Sequence, residues 1–182
     1  MRKKFIIITV AITLILGGGI FFYINDSNSQ ENTQSVGVEN ITQAEKFDQV
    51  PEFVLEDWNG NEVTLADFQG KPLILNSWAV WCPFCLDELP DFAQLQEELG
   101  DSVVIIAIDR AEPANKQKKF TDELGVTGRL LFLNDPKDSF YQSIGGFSMP
   151  ETLFVDTQGN IRIHKRGPMD IGEMRKKVQS IL

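Results

Sequence analysis

The sequence predicts an α/β domain built on a mixed sheet covered on both faces, preceded by one transmembrane helix. Two patterns point to the domain. Short apolar runs alternate with segments of helical periodicity from about residue 47 onward, and the last of them form a hairpin followed by an amphipathic helix. A third observation concerns the N-terminus, where Arg2, Lys3 and Lys4 precede an uncharged stretch from Phe5 to Ile24. As a helix, such a stretch covers about 30 Å, the thickness of a bilayer's hydrocarbon core.

Residues 1–24 therefore read as a membrane anchor. A cleavable signal has the same charge layout but a shorter apolar region of about 7–15 residues and a small-x-small cleavage site. Here Gly17-Gly18-Gly19 lies inside the apolar run and bulky Ile20-Phe21-Phe22-Tyr23-Ile24 follows it. The basic flank stays on the cytoplasmic side, which places the rest of the chain outside. The expected localisation is the cell membrane, single-pass, with the folded domain extracytoplasmic. Residues 25–46 are polar with few large apolar groups, a linker composition, and as a flexible tether would span roughly 25 Å.

The folded domain is expected over 47–182. Pro51 to Leu55 and Glu62 to Leu65 flank Asn59-Gly60, a hairpin-turn dipeptide. Pro72 to Ala79 is nearly continuous apolar sequence, suited to a buried central strand. Leu86, Leu89, Phe92, Ala93, Gln96 and Leu99 then follow helical spacing, Pro90 falls inside that helix and should kink it, and Gly100 ends it. Val103 to Ile108 is a second buried strand. Helices are expected over 112–124, 136–144 and 170–182, with strands at 130–133, 152–155 and 161–164. Asp156 to Asn160 provides the turn between the last two strands.

Composition narrows the function. A net charge of −9 argues against nucleic-acid binding, which needs basic clusters to neutralise phosphates. Two cysteines and the single histidine His164 exclude a four-ligand Cys/His zinc site in one chain. Any cysteine chemistry must run through Cys82 and Cys85, in Trp81-Cys82-Pro83-Phe84-Cys85, at a strand-to-helix junction. A cysteine at a helix N-terminus meets the positive end of the helix dipole and free N–H groups, which stabilise its thiolate. The thiolate is the attacking species in disulfide exchange, and a partner three residues on resolves the mixed disulfide. A purely stabilising Cys82–Cys85 bridge is the competing reading, weakened because so short a loop removes little entropy from the unfolded chain. His164 reads as a strand residue without a ligand role, and Arg175-Lys176-Lys177 as a solvated face near a helix C-terminus.

The stretch from Ser77 to Pro90 resembles the active-site segment of the TlpA/ResA-type thioredoxin-like proteins. Pro51 to Leu55 with Leu65 to Pro72, and Met149 to Asp156, match the same family, so the resemblance spans roughly 48–182. It implies a thioredoxin fold with an N-terminal β-hairpin and a central αβ insertion, the latter at 112–133. It further implies that Glu88, three residues past Cys85 on one helical face, assists the cysteines' proton transfers. The bland reading of Glu88 is a surface carboxylate in a helix's first turns. Asn76 stands where minimal thioredoxins carry an aspartate.

By the same resemblance Pro150 is a cis-proline facing the cysteines, with the Met149 backbone open to an extended substrate segment. Trp81, Pro83 and Phe84 complete the substrate-facing surface, while Trp78 is equally well a core residue. Glu151 departs from the small hydroxyl residue common after that proline. The implied activity is extracytoplasmic thiol-disulfide exchange on protein substrates, in the reducing direction, for example on apocytochrome, fed by a membrane thiol carrier. No dissociable cofactor or metal is called for. The alternatives are a DsbA-like oxidant, for whose helical insertion the Cys85–Pro150 interval is short, and a thiolate copper-binding assembly factor. A peroxiredoxin is disfavoured by Ala79, three residues before Cys82.

Overall fold

A seven-stranded mixed sheet forms the frame, with β3 near its middle and the strand order β2-β1-β5-β4-β3-β6-β7. It is seen in a computed structural model that describes residues 49–182; the anchor expected at 1–24 and the linker at 25–46 lie outside the described residues. Strands β1 (Val54–Asp57) and β2 (Glu62–Thr64) make the expected antiparallel hairpin. Its turn is drawn together by Asp57, whose carboxylate accepts the N–H groups of Asn59 and Asn61 at 2.8 and 2.9 Å. Gly60 takes the positive φ of 80° that the turn requires.

Strand β3 (Leu73–Trp78) is buried along its whole length, as its unbroken apolar run predicts. It lies parallel to β4 (Val104–Arg110), which in turn lies parallel to β5 (Leu131–Asp135). On its other side β3 pairs antiparallel with β6 (Glu151–Val155), and β6 with β7 (Ile161–Arg166). The expected αβ insertion is present as helix α2 (Ala114–Glu123) and β5, which sits between β4 and the hairpin strand β1. The other helices are α1 (Pro83–Leu99), α3 (Ser139–Ser143) and α4 (Ile171–Val178).

Side chains on β3 alternate between two cores, as period-two geometry demands. Ile74 and Trp78 face one core with Leu89, Phe92 and Leu95 of α1 and Met174 and Val178 of α4. Leu73 and Leu75 face the other with Phe53, Ile108, Leu133, Phe140 and Ile144. Each such fully buried side chain is worth about 1.5–3 kcal/mol. Trp78 is fully buried and packs edge-on against Phe132, so it belongs to the core.

Element ends depart from expectation where side chains overrule local pattern. The helix expected from Pro136 begins at Ser139, because Asp135 turns back to accept the N–H groups of Ser139 and Phe140 and the Ser139 hydroxyl. Strands β4 and β7 run on into the charged residues Arg110 and Arg166, which pair with Asp135 and Glu151 on neighbouring strands. Helix α1 continues through Pro90 without a break, and Gly100 at its C-terminus adopts a φ of 55°. The last helix stops at Val178 rather than reaching Leu182.

Candidate active site

The buried strand β3 delivers the chain to the sheet's C-terminal edge, where Ala79 to Cys82 turn into α1. The N–H of Cys82 donates to the Ala79 carbonyl at 3.1 Å, closing this turn. Cys82 is the N-cap of α1 and Pro83 occupies its first turn, where a missing N–H removes no helical bond. Cys82 and Cys85 form a disulfide with a Cα–Cα distance of 5.3 Å. The Cys85 N–H points at Cys82 Sγ, 3.2 Å away, so a helix N-terminal donor serves the first sulfur directly. Both cysteines are nearly buried, yet Trp81 is 59% and Phe84 57% exposed, and Pro83 is exposed as well. A rim of apolar side chains thus surrounds a recessed disulfide.

Glu88 is 2% exposed, which excludes the reading as a surface carboxylate. Its Oε1 accepts the N–H of Met169 at 2.6 Å, while its Oε2 is buried without a partner. Burial pushes its pKa up to about 8; the Met169 N–H and the Lys165 charge pull it back only in part, and the Asp91 and Glu173 carboxylates add to the rise. Near neutral pH this acid therefore keeps its proton while the cysteines are joined. Asp91, one turn along α1, accepts the Ile171 N–H at 3.0 Å, so two α1 carboxylates grip the chain leading into α4.

Pro150 follows a cis peptide bond from Met149, as the resemblance implies. The register pairs Ser77 of β3 with Glu151 of β6, which sets Met149 and Pro150 beside the strand end that leads to Cys82. Among the described residues the Met149 backbone N–H and C=O make no hydrogen bond. Asn76 is buried and donates to Thr152 Oγ1 at 3.0 Å, so it bridges strands instead of supplying an acid.

A second acidic group on this edge escaped the sequence reading. Asp109 is the penultimate residue of β4, opposite Trp78, and Glu112 lies just past the strand's end. The Glu112 carboxylate accepts the N–H of Val80, in the turn that carries Cys82, and also the Lys116 ammonium. Asp109 is fully buried and accepts from the Glu112 N–H at 3.0 Å and Gln117 Nε2 at 2.9 Å. Gln117 also receives the Trp58 indole N–H at 2.7 Å. Burial, reinforced by the nearby Glu112 charge, raises the Asp109 pKa. No periodicity or motif spacing marks these residues. The available signal was topological: in parallel strands, residues just past the C-terminal end of one lie beside the same end of its neighbour.

His164 is not idle. Its Nε2 meets Glu151 Oε1 at 2.7 Å, and Arg166 Nε donates to the same oxygen at 2.8 Å. Burial opposes the Glu151 charge, but the His164 ring, the Ser148 N–H and Arg166 together hold its carboxyl below the usual range.

Comparison with known proteins agrees with this geometry. The Redoxin family profile matches residues 45–182. The chain is 30% identical over 132 residues to the thiol-disulfide oxidoreductase ResA of Geobacillus thermodenitrificans, covering 72% of this chain and 75% of that protein. It is 32% identical over 133 residues to the thioredoxin-like protein YneN of Bacillus subtilis, covering 71% and 76% respectively. Among solved structures, dsbF of MTB in its mixed oxidized and reduced forms superposes with a TM-score of 0.66 at 25% identity, over 71% of this chain and 95% of that one. With a disulfide at the head of α1 on a thioredoxin-like sheet, the chain belongs to the Redoxin family, within its TlpA/ResA-type thioredoxin-like thiol-disulfide oxidoreductases.

Proposed function

We propose that this oxidoreductase reduces disulfides of protein substrates outside the cytoplasm, with Cys82 as nucleophile and Cys85 as resolving thiol. In the reduced enzyme the Cys82 thiolate attacks one substrate sulfur, the substrate S–S bond breaks, and a mixed disulfide forms. Cys85 then gives its proton to Glu88 and attacks Cys82 Sγ. The substrate sulfur that Cys82 had captured leaves as a thiolate, and it and the sulfur released in the first step are protonated. Two electrons have passed to the substrate and the enzyme carries the Cys82–Cys85 bond. A membrane thiol carrier returns the electrons.

The observation that carries this reading is the buried Glu88, with its unpartnered Oε2 and its pKa near 8. An acid with these properties accepts a proton when Cys85 must lose one and retains it in the oxidised state. It also favours the reducing direction. A strong oxidant owes its potential to a stabilised reduced form, and Glu88, ionised in the reduced enzyme before it takes the Cys85 proton, opposes the thiolate charge that provides such stabilisation. Trp81, Pro83 and Phe84 offer an apolar rim, and the free Met149 backbone beside Pro150 offers strand-like pairing to an extended segment. The thioredoxin-fold copper chaperones add a distant histidine to their cysteines, and the one histidine here is engaged by Glu151. The basic flank and uncharged stretch of residues 1–24 support anchoring, with 25–46 as tether and the domain at 47–182 outside.

The redox equilibrium of the full chain against glutathione tests the direction: a value at or below about −270 mV fits the reductant, and one near −120 mV identifies an oxidant. Roles within the pair are tested by trapping. Cys85→Ser should accumulate mixed disulfides with protein substrates in cells and Cys82→Ser should not; the reverse pattern refutes the assignment. Protease added to intact cells should reach the domain if it lies outside.

A further inference from the structure

Glu151 stands where the sheet meets the substrate-facing turn. It is the first residue of β6, paired in register with Ser77 of β3 and Arg166 of β7, and none of it is exposed. A buried carboxylate is costly unless its charge is balanced and its lone pairs are filled. Both conditions are met. Oε1 receives His164 and Arg166, and Oε2 lies 3.2 Å from the Phe147 N–H and 3.4 Å from the Ser148 N–H. One side chain thus ties two strands to the backbone of the loop just ahead of the Met149–Pro150 bond.

Other contacts converge on the same loop. The Tyr141 hydroxyl donates to the Ser148 carbonyl at 2.8 Å. Gly146 lies against the Tyr141 ring so closely that an added Cβ would sit 2.5 Å from it. The Arg166 guanidinium, already bonded to Glu151, lies 5.1 Å from the centroid of the Phe147 ring. Phe147 is nevertheless 79% exposed. A loop this firmly held, presenting a bare phenyl ring to water, is built for contact. Trp81 and Phe84 are the exposed aromatics of the cysteine segment, and the Ser77–Glu151 register brings Phe147's loop to that same end of the sheet.

We propose that Glu151 is a positioning residue for polypeptide substrates, fixing the turn 147–150 so that Phe147 receives a large apolar side chain near the substrate cysteine. This deepens the reading above, on which it rests, and leaves the exchange chemistry unchanged. The occupant it selects is an extended chain with apolar residues flanking its disulfide. Glutathione disulfide, charged and without a large apolar group, gains nothing from Phe147.

The test compares kcat/KM of the reduced full chain for insulin and for glutathione disulfide, in the wild type, Glu151→Gln and Phe147→Ala. Glu151→Gln keeps an acceptor oxygen but removes the charge that holds both arginine and histidine. The insulin-to-glutathione ratio should fall about tenfold in each variant, through KM for insulin, with the reduction potential unmoved in Glu151→Gln. Phe147→Ala removes an exposed ring and so keeps the test valid if the buried substitution unfolds the protein. A ratio that stays at the wild-type value in Phe147→Ala, or a potential that shifts in a folded Glu151→Gln, overturns the proposal. If the wild type itself shows no preference for insulin, the reading as a protein-disulfide reductase fails and this inference with it. A preference that survives both substitutions refutes only the role given to Glu151 and Phe147.

Discussion

Replacing Glu88 by glutamine should lessen a pH dependence that the wild type owes in part to this buried acid. Its pKa of about 8 in the folded, oxidised protein stands against an ordinary 4.5. Between those values the folded chain holds a proton that the unfolded chain releases, so the unfolded state binds fewer protons and stability falls as pH rises. The contribution is intact below the unfolded pKa, declines at about 1.4 kcal/mol per pH unit through the window, and levels off above pH 8 or so. Summed across the window the loss is on the order of 5 kcal/mol, an upper figure because water reaching the site would soften it. Glutamine has no proton to lose. Its carbonyl can still accept the Met169 N–H, while its amide group would occupy the unpartnered Oε2 position. Urea midpoints of the oxidised chain, taken at unit steps from pH 5 to 9, provide the assay. Asp109, whose pKa is also raised, imposes a parallel slope on both proteins, so the difference between wild type and variant isolates Glu88. A variant that loses stability with pH as steeply as the wild type would refute the assignment of a buried, protonated Glu88.

Removing the acceptor of the active-site turn should also be visible. Glu112→Ala leaves the buried Val80 N–H without a partner and should cost about 1–3 kcal/mol in chemical denaturation, with Glu112→Gln closer to wild type because it keeps an oxygen. Gly146→Ala forces a Cβ against the Tyr141 ring and should lower stability by about 1–3 kcal/mol, read as a reduced Tm. An unchanged Tm in that variant would show that the 145–148 loop yields easily, contrary to the packing described.

The features that sequence alone revealed share a physical property: they are local. The buried run of β3, the periodicity of α1 and the Asn59-Gly60 turn each follow from the chemistry of adjacent residues, and each formed where expected. The Cys82–Cys85 pair is legible for the same reason, whereas Glu88, within seven positions of it on the same strand-helix junction, stands out only through the resemblance that this segment carries. What escaped depends on residues far apart in the chain. Glu112 reaches Val80 across 32 positions, and Glu151 collects His164 and Arg166 from the neighbouring strand. An acid at such a place has the same sequence appearance as a solvated one, and strand pairing alone decides which it is. Taken singly, Glu151 is a departure after a proline and His164 a bland strand residue. Their pairing follows from the β6–β7 register, which periodicity does not specify.

The bond from Met169 to Glu88 joins positions 81 apart, and that from Ile171 to Asp91 joins positions 80 apart. These two backbone amides are therefore remote informants on the state of the cysteine helix. When Glu88 gains or loses its proton, the Met169 N–H meets a different acceptor, and its resonance and solvent exchange should respond without any label placed near the sulfurs. The same connection bears on how the protein is cut and tagged. A chain shortened ahead of Gly167 would keep both cysteines, the cis-proline and the whole sheet, yet would lose the amide on which Glu88 rests. The C-terminal segment, far from the cysteines in sequence, is in this sense a piece of the redox centre.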